Sequence, residues 1–208
     1  NVNKDAKSTG NVFTIDDSAA TNALTVDGSS LNSTTALHVA LASWLAADSL
    51  KGGSSTSDTL CFTGNSATDA LTTGIFTGFE NIKLSGSNDV LTLTDDNLSV
   101  TVTGTGDTVV LGSGTDTVTG GTGAANATVT LGTGTDTVNL SAGSGTNTVN
   151  ATSTTLVTGD SLTGGSGTDT LALSGDSGTF DLTSLAVFTG FENVTLKFTD
   201  DALDAIAE

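Results

Sequence analysis

The stretch that decides the fold is LGSGTDTVTGGTGAANATVTLGTGTDTVNLSAGSGTNTVN, residues 111–150. Within it the residue before each short apolar run recurs as Asp116, Asn126, Asp136 and Asn147. Extending the count in both directions adds Asp107 and Asp169, with steps of 9, 10, 10, 11 and 22. Each step pairs a Gly-rich turn with a strand such as Thr117-Val-Thr119, Thr128-Val-Thr130 or Thr137-Val-Asn139. One strand and one turn about every 10 residues predicts an all-β parallel β-solenoid, a β-roll or β-helix with about 20 residues and two strands per coil. Alternation directs Val118, Val129, Val138 and Val149 inward and their Thr and Asn neighbours outward. Thr suits such a surface because it is β-branched and polar. The chain has no Pro, which would remove a ladder donor in every coil.

A longer repeat overlies the short one. Phe76-Thr-Gly-Phe-Glu-Asn-Ile-Lys-Leu84 returns as Phe188-Thr-Gly-Phe-Glu-Asn-Val-Thr-Leu196, and both copies continue into Thr-Asp-Asp-x-Leu. The duplicated unit covers 57–98 and 168–203, which points to reused structural material. Upstream, Val12–Ile15 and Ala23–Val26 read as short strands. Residues 34–50 place Leu37, Ala40, Leu41, Trp44, Leu45 and Ala47 at helical spacing and stop at Lys51-Gly-Gly, predicting one short N-terminal α-helix. The expected organisation is therefore an N-terminal segment, 1–51, followed by the solenoid, 52–208. His38, the sole histidine, is expected on the face of that helix. Cys61, the sole cysteine, is expected to be a small buried hydrophobe.

Composition narrows the chemistry. Of 208 residues, 23 are acidic and five basic, all five Lys, for a net charge of −18. An acidic surface of that kind repels nucleic acid and anionic lipid and attracts divalent cations. No run approaches the length of a membrane span. No N-terminal export signal opens the sequence, so a secreted protein is expected to have been trimmed or to leave by a C-terminal route. One His, no Arg and scattered Lys argue against lyase or nucleophilic chemistry. A lone Trp inside an expected helix argues against a sugar-binding cleft, so no enzyme is expected.

The motif that carries chemistry is Gly164-Gly-Ser-Gly-Thr-Asp-Thr-Leu171, which fits G-G-x-G-x-D-x-U at every fixed position. Partial copies are Gly112–Val118, Gly132–Val138, Gly143–Val149 (with Asn147 for Asp), Gly104–Val109 and Gly86–Leu91. The pattern resembles the calcium-binding repeat of RTX (repeats-in-toxin) proteins. The whole chain, with its Phe-Thr-Gly-Phe-Glu-Asn segments, resembles bacterial S-layer and other surface proteins exported by type I secretion. The resemblance implies Ca²⁺ held by turn carbonyls and by Asp107, Asp116, Asp136 and Asp169, with Asp89, Asp160, Gly165 and Gly167 in the same ligand set. It departs from the family in its uneven spacing. A metal-free alternative is a hydrogen-bonded ladder through Asn126 and Asn147. Asp95-Asp96, Asp200-Asp201, Glu80 and Glu192 recur with the long repeat as turn caps or further ligands. The implied protein is a non-enzymatic, secreted, self-assembling structural protein of the cell surface, with itself and cell-surface polysaccharide as partners. The alternative is an adhesin or ice- or surface-binding solenoid, for which stacked T-x-T rows would be the signature.

Overall fold

A computed structural model describes residues 7–9, 11–71, 75–94, 97–175 and 179–198. The chain forms a parallel β-solenoid of about eight coils with about 22 residues per turn. Coil length is not constant. Equivalent residues of neighbouring coils lie between 18 and 26 positions apart, because turns absorb insertions while strands keep register.

Two long sheets form the walls among the described residues. The ten-stranded sheet runs through Lys7–Thr9, Val12–Asp17, Ala36–Leu41, Thr59–Phe62, Asn81–Leu84, Ser99–Val102, Thr117–Gly120, Thr137–Asn139, Ser161–Thr163 and Val187–Thr189. Facing it, the seven-stranded sheet runs from Thr68–Ala70 through Val90–Thr92, Thr108–Val110, Thr128–Thr130, Thr148–Thr152 and Thr170–Gly175 to Asn193–Phe198. A three-stranded sheet of Thr25–Asp27, Ser49–Lys51 and Ile75–Thr77 lines the first coils. Every strand pair is parallel except the first, where Lys7–Thr9 folds back on Val12–Asp17.

Strict register builds the core. On the ten-stranded sheet Ile15, Val39, Leu60, Ile82, Val100, Val118, Val138, Leu162 and Phe188 stack in one inward column. Its members from Val39 to Leu162 are at most 1% exposed. No coil buries such a residue alone. Each Val or Leu is desolvated by its neighbours above and below and by the facing wall, so stability accrues coil by coil.

The N-terminal helix is not present. Ala36–Leu41 is a strand of the ten-stranded sheet and Ser49–Lys51 a strand of the three-stranded one. Among the described residues the only helix is the 3-10 turn Leu182–Ser184. Leu37, Val39 and Leu41 are buried at alternate positions while His38 and Ala40 are half-buried, which is the two-residue period of a strand. The apolar set Leu37, Ala40, Leu41 also satisfies helical spacing. Ladder pairing on both sides, with Val12–Asp17 and Thr59–Phe62, overrides the helix propensity of Ala and Leu. His38 therefore sits on a strand, not on a helix face. Cys61 is also displaced from its expected place. Leu60 and Phe62 take the core and Cys61 is half-buried on the outer side, its Sγ 3.4 Å from Ser85 Oγ.

A candidate acidic corner site

Each coil bends just before a strand begins, and the residue at that bend is where the Asp of the repeat sits. Asp116, Asp136 and Asp160 precede strands of the ten-stranded wall. Asp89, Asp107 and Asp169 precede strands of the seven-stranded wall. All six are fully buried, together with Asp48, Asp58 and Asp69. An inward carboxylate requires donors, and the backbone of the preceding coil supplies them. Leu98 N–H donates to Asp116 Oδ1 at 2.9 Å, Asp116 N–H to Asp136 Oδ1 at 3.2 Å, and Asp136 N–H to Asp160 Oδ1 at 2.8 Å. On the other corner Ala67 N–H donates to Asp89 and Asp89 N–H to Asp107. Ala127 then interrupts the series. It resumes as Ala127 N–H to Asn147 Oδ1, Asn147 N–H to Asp169 Oδ1, and Asp169 N–H to Glu192 Oε2.

The second oxygen commonly turns back to its own loop. Asp136 Oδ2 accepts from Gly132 N–H at 3.1 Å, Asp160 Oδ2 from Val157 N–H at 2.8 Å, and Asp169 Oδ2 from Gly165 N–H. The Oδ2 atoms of Asp69, Asp89 and Asp107 are buried without a hydrogen-bond partner. Burial pushes the carboxyls of Asp89, Asp107, Asp136 and Asp160 above the usual range, against the pull of their N–H donors. Asp136, which also feels Asp116 and Asp160, reaches about 6.

The turn glycines are required by close approach. A Cβ on Gly104 would lie 1.5 Å from Gly86 O, one on Gly134 1.5 Å from Gly114 O, and one on Gly167 1.8 Å from Gly145 O. The corner beside the seven-stranded wall also holds a left-handed residue in four successive coils: Ser66, Asn88, Gly106 and Asn126, with φ between 57° and 74°. Asn126 thus occupies this bend, where its Oδ1 accepts from Thr146 N–H, while Asn147 belongs to the carboxylate series one position later. The expected ladder through Asn126 and Asn147 does not exist as one column.

Glu80 and Glu192 occupy equivalent places in the two long repeats. Each accepts the N–H of an Asp in the preceding coil, Asp58 and Asp169 respectively. The neighbouring rings match too, Phe76 on Phe79 and Phe188 on Phe191, both at 5.3 Å. Asp16 is exposed and bonded to Ser18; Asp95-Asp96 and Asp200-Asp201 lie outside the described residues. Sequence reading missed Asp48, Asp58 and Asp69. The signal for the first two was present, since Asp48-Ser-Leu-Lys-Gly-Gly is repeated as Asp160-Ser-Leu-Thr-Gly-Gly and Asp58-Thr-Leu as Asp169-Thr-Leu.

The acidic surface expected from composition does not extend over the middle coils. Among the described residues nine of the chain's 23 acidic residues are buried, and between Asn97 and Gly175 every acidic side chain is. With no basic residue in that span, its outer walls of Ser, Thr and Asn carry no charged side chain.

The calcium that the resemblance implies meets a corner whose oxygens are largely committed to N–H donors. Among the described residues no three His, Cys, Asp or Glu side chains converge as a metal cluster. At the strand-leading bends the oxygens left over are Oδ2 of Asp89 and Asp107, on neighbouring coils; these two residues would hold the ion, whose positive charge would offset their buried negative ones. A separate cleft of about 280 Å³ lies between Asp17, Asn22, Leu41, Ser43, Leu45 and Asp48. Both Asp48 oxygens are engaged there by the Leu24 and Leu45 N–H groups. No protein-family model, curated protein or solved structure matches the chain. Among the described residues no helix is long and apolar enough to cross a membrane.

Proposed function

We propose that this chain is a non-enzymatic, secreted structural protein of a bacterial cell surface, an S-layer or surface-filament subunit of RTX type. It is stabilised by calcium and assembles with copies of itself. The observation that carries the reading is the last wall strand, Asn193–Phe198. Among the described residues it pairs on one side only, and Val194 and Leu196, which continue the inward columns of Leu171 and Leu173, are 40% and 55% exposed. An open strand edge with apolar residues beside it is a template for addition of a further strand. The leftover oxygens of Asp89 and Asp107 support the calcium part of the proposal.

The test is a calcium titration of an EDTA-stripped sample by circular dichroism and light scattering, with negative-stain microscopy at the endpoint. Ordered sheets or filaments that vanish in Val194→Asp/Leu196→Asp support the reading. A monomer at high concentration with and without calcium refutes it.

A second reading, a surface- or ice-binding solenoid, gains from one observation. Ser99, Thr117, Thr137 and Ser161 stack in one outward hydroxyl row on successive coils, and Thr101, Thr119 and Thr163 share the next column with Asn139. Enrichment of the protein in slowly growing ice would favour it.

A further inference from the structure

Along the seven-stranded wall the inward residues stack as Asp69, Leu91, Val109, Val129, Val149 and Leu171. Asp69 is thus not a corner residue at all. It occupies an apolar position of the core column, in the first strand of that wall, and is fully buried. Its Oδ1 accepts the Trp44 N–H at 2.5 Å, and its Oδ2 has no hydrogen-bond partner.

The groups around it give an ionised Asp69 no compensation. Asp89, at the bend before Val90–Thr92, is a like charge. Asp48 ends the Trp44 turn with both oxygens engaged. His38 and Lys83 lie in the outward columns of the opposite wall, and no basic side chain is buried among the described residues. Burial, and to a lesser degree Asp89, push the Asp69 carboxyl up to about 6, while the Trp44 N–H pulls it down.

We propose that Asp69 is a proton-operated latch on the Trp44 turn. Protonated, it is a neutral core residue that holds the turn through Oδ1. Ionised, it leaves a charge with a single donor in an apolar column, and the strain is relieved by opening the turn toward water, where the carboxylate is solvated. The Trp44 ring packs edge-on against Phe76, 6.0 Å between centroids, and Phe76 stacks on Phe79, so opening also loosens the aromatic cluster of the first long repeat. The sign follows from linkage. Asp69 favours the closed turn fully below its ordinary pKa of 3.8, and the preference is lost as pH rises to about 6. Opening is favoured up to about 100-fold more at pH 8 than at pH 4.

Trp44 is the only tryptophan and reports on its own turn. The experiment is acrylamide quenching of its fluorescence from pH 4 to pH 8 in EDTA, with far-UV circular dichroism on the same samples. The expected result is quenching that rises with pH and levels off above about 6, against an unchanged β spectrum. Asp69→Asn keeps the acceptor oxygen but does not ionise, and its quenching stays at the low-pH value throughout. Three results overturn the latch: quenching independent of pH in the wild type, the same pH response in Asp69→Asn, or quenching and circular dichroism changing together as one global transition. The wild-type measurement decides on its own if the variant fails to fold.

Discussion

Asp136 separates the two jobs of a corner carboxylate, accepting hydrogen bonds and carrying charge. Its oxygens take the N–H groups of Asp116 and Gly132, both buried. Asp136→Ala removes both acceptors, and each orphaned N–H costs about 1–3 kcal/mol. Asp136→Asn keeps one acceptor, as Asn147 does in the other corner. Asn is therefore expected to be more stable than Ala by about 1–3 kcal/mol at any pH. The charge behaves differently. Burial lifts the Asp136 pKa from 3.8 to about 6, so the folded state holds its proton more tightly than the unfolded chain. That stability is present below pH 3.8 and is lost as pH rises through about 6, an upper bound of about 3 kcal/mol for a shift of about two units. Relative to Asn, which does not titrate, the wild type should be close to equal at pH 4 and less stable at pH 8. Urea unfolding followed by circular dichroism in EDTA measures both differences, and using Asn as reference cancels the general effect of net charge. A wild-type/Asn difference that does not change with pH refutes the buried-charge argument. A vanishing Asn/Ala gap refutes the hydrogen-bond argument. With calcium restored, a ligand role for Asp136 predicts that the wild type gains more stability than either variant.

Gly134→Ala should destabilise by more than the usual 1–3 kcal/mol of overpacking, because the added Cβ meets a backbone carbonyl that does not move aside; thermal unfolding measures it, with the exposed Thr135→Ala as control. The two long repeats supply an internal comparison. Phe79 is 5% exposed and Phe191 half-buried, so Phe79→Ala should lose about 3–5 kcal/mol and Phe191→Ala clearly less, in the same denaturation assay. Equal losses would show that the open side of the second repeat is covered.

Much of the architecture was legible because a solenoid writes its core in sequence. Val118, Val129, Val138 and Val149, spaced by turns rich in Gly, have no other way to share a core than by stacking, and they do. Residues 34–50 were not legible by periodicity because Leu37, Ala40 and Leu41 fit both a helix and a strand. The Asp48-Ser-Leu repeat of Asp160-Ser-Leu would have decided for strand. The corner carboxylates were found by type and spacing, but spacing does not tell which way a carboxylate faces. Donors from the preceding coil lie 18 to 24 residues away and follow only from the register. Asn126 and Ala127 show the limit of counting: a shift of one residue exchanges a bend position for a ladder position. Asp69 had no motif at all, since it interrupts an apolar column that only strand pairing reveals.

Net charge reads differently once the acids are located. A value of −18 taken as surface charge predicts copies that repel one another and a molecule surrounded by cations. With nine carboxylates inside the coil and none exposed between Asn97 and Gly175, the middle walls are neutral, and copies meeting there face no charge repulsion from side chains. The electrostatic cost is instead internal and runs along the solenoid axis, where Asp89 and Asp107 at one corner and Asp116, Asp136 and Asp160 at the other stack in successive coils with no buried base among the described residues. Protons and cations both relieve it, the first by neutralising the carboxyl and the second by pairing with it. Acid and calcium should therefore act in the same direction on stability and compete with each other: calcium's stabilising effect should shrink as pH falls from 8 to 4. A calcium increment that is equal at both pH values would mean that the ion binds away from these carboxylates.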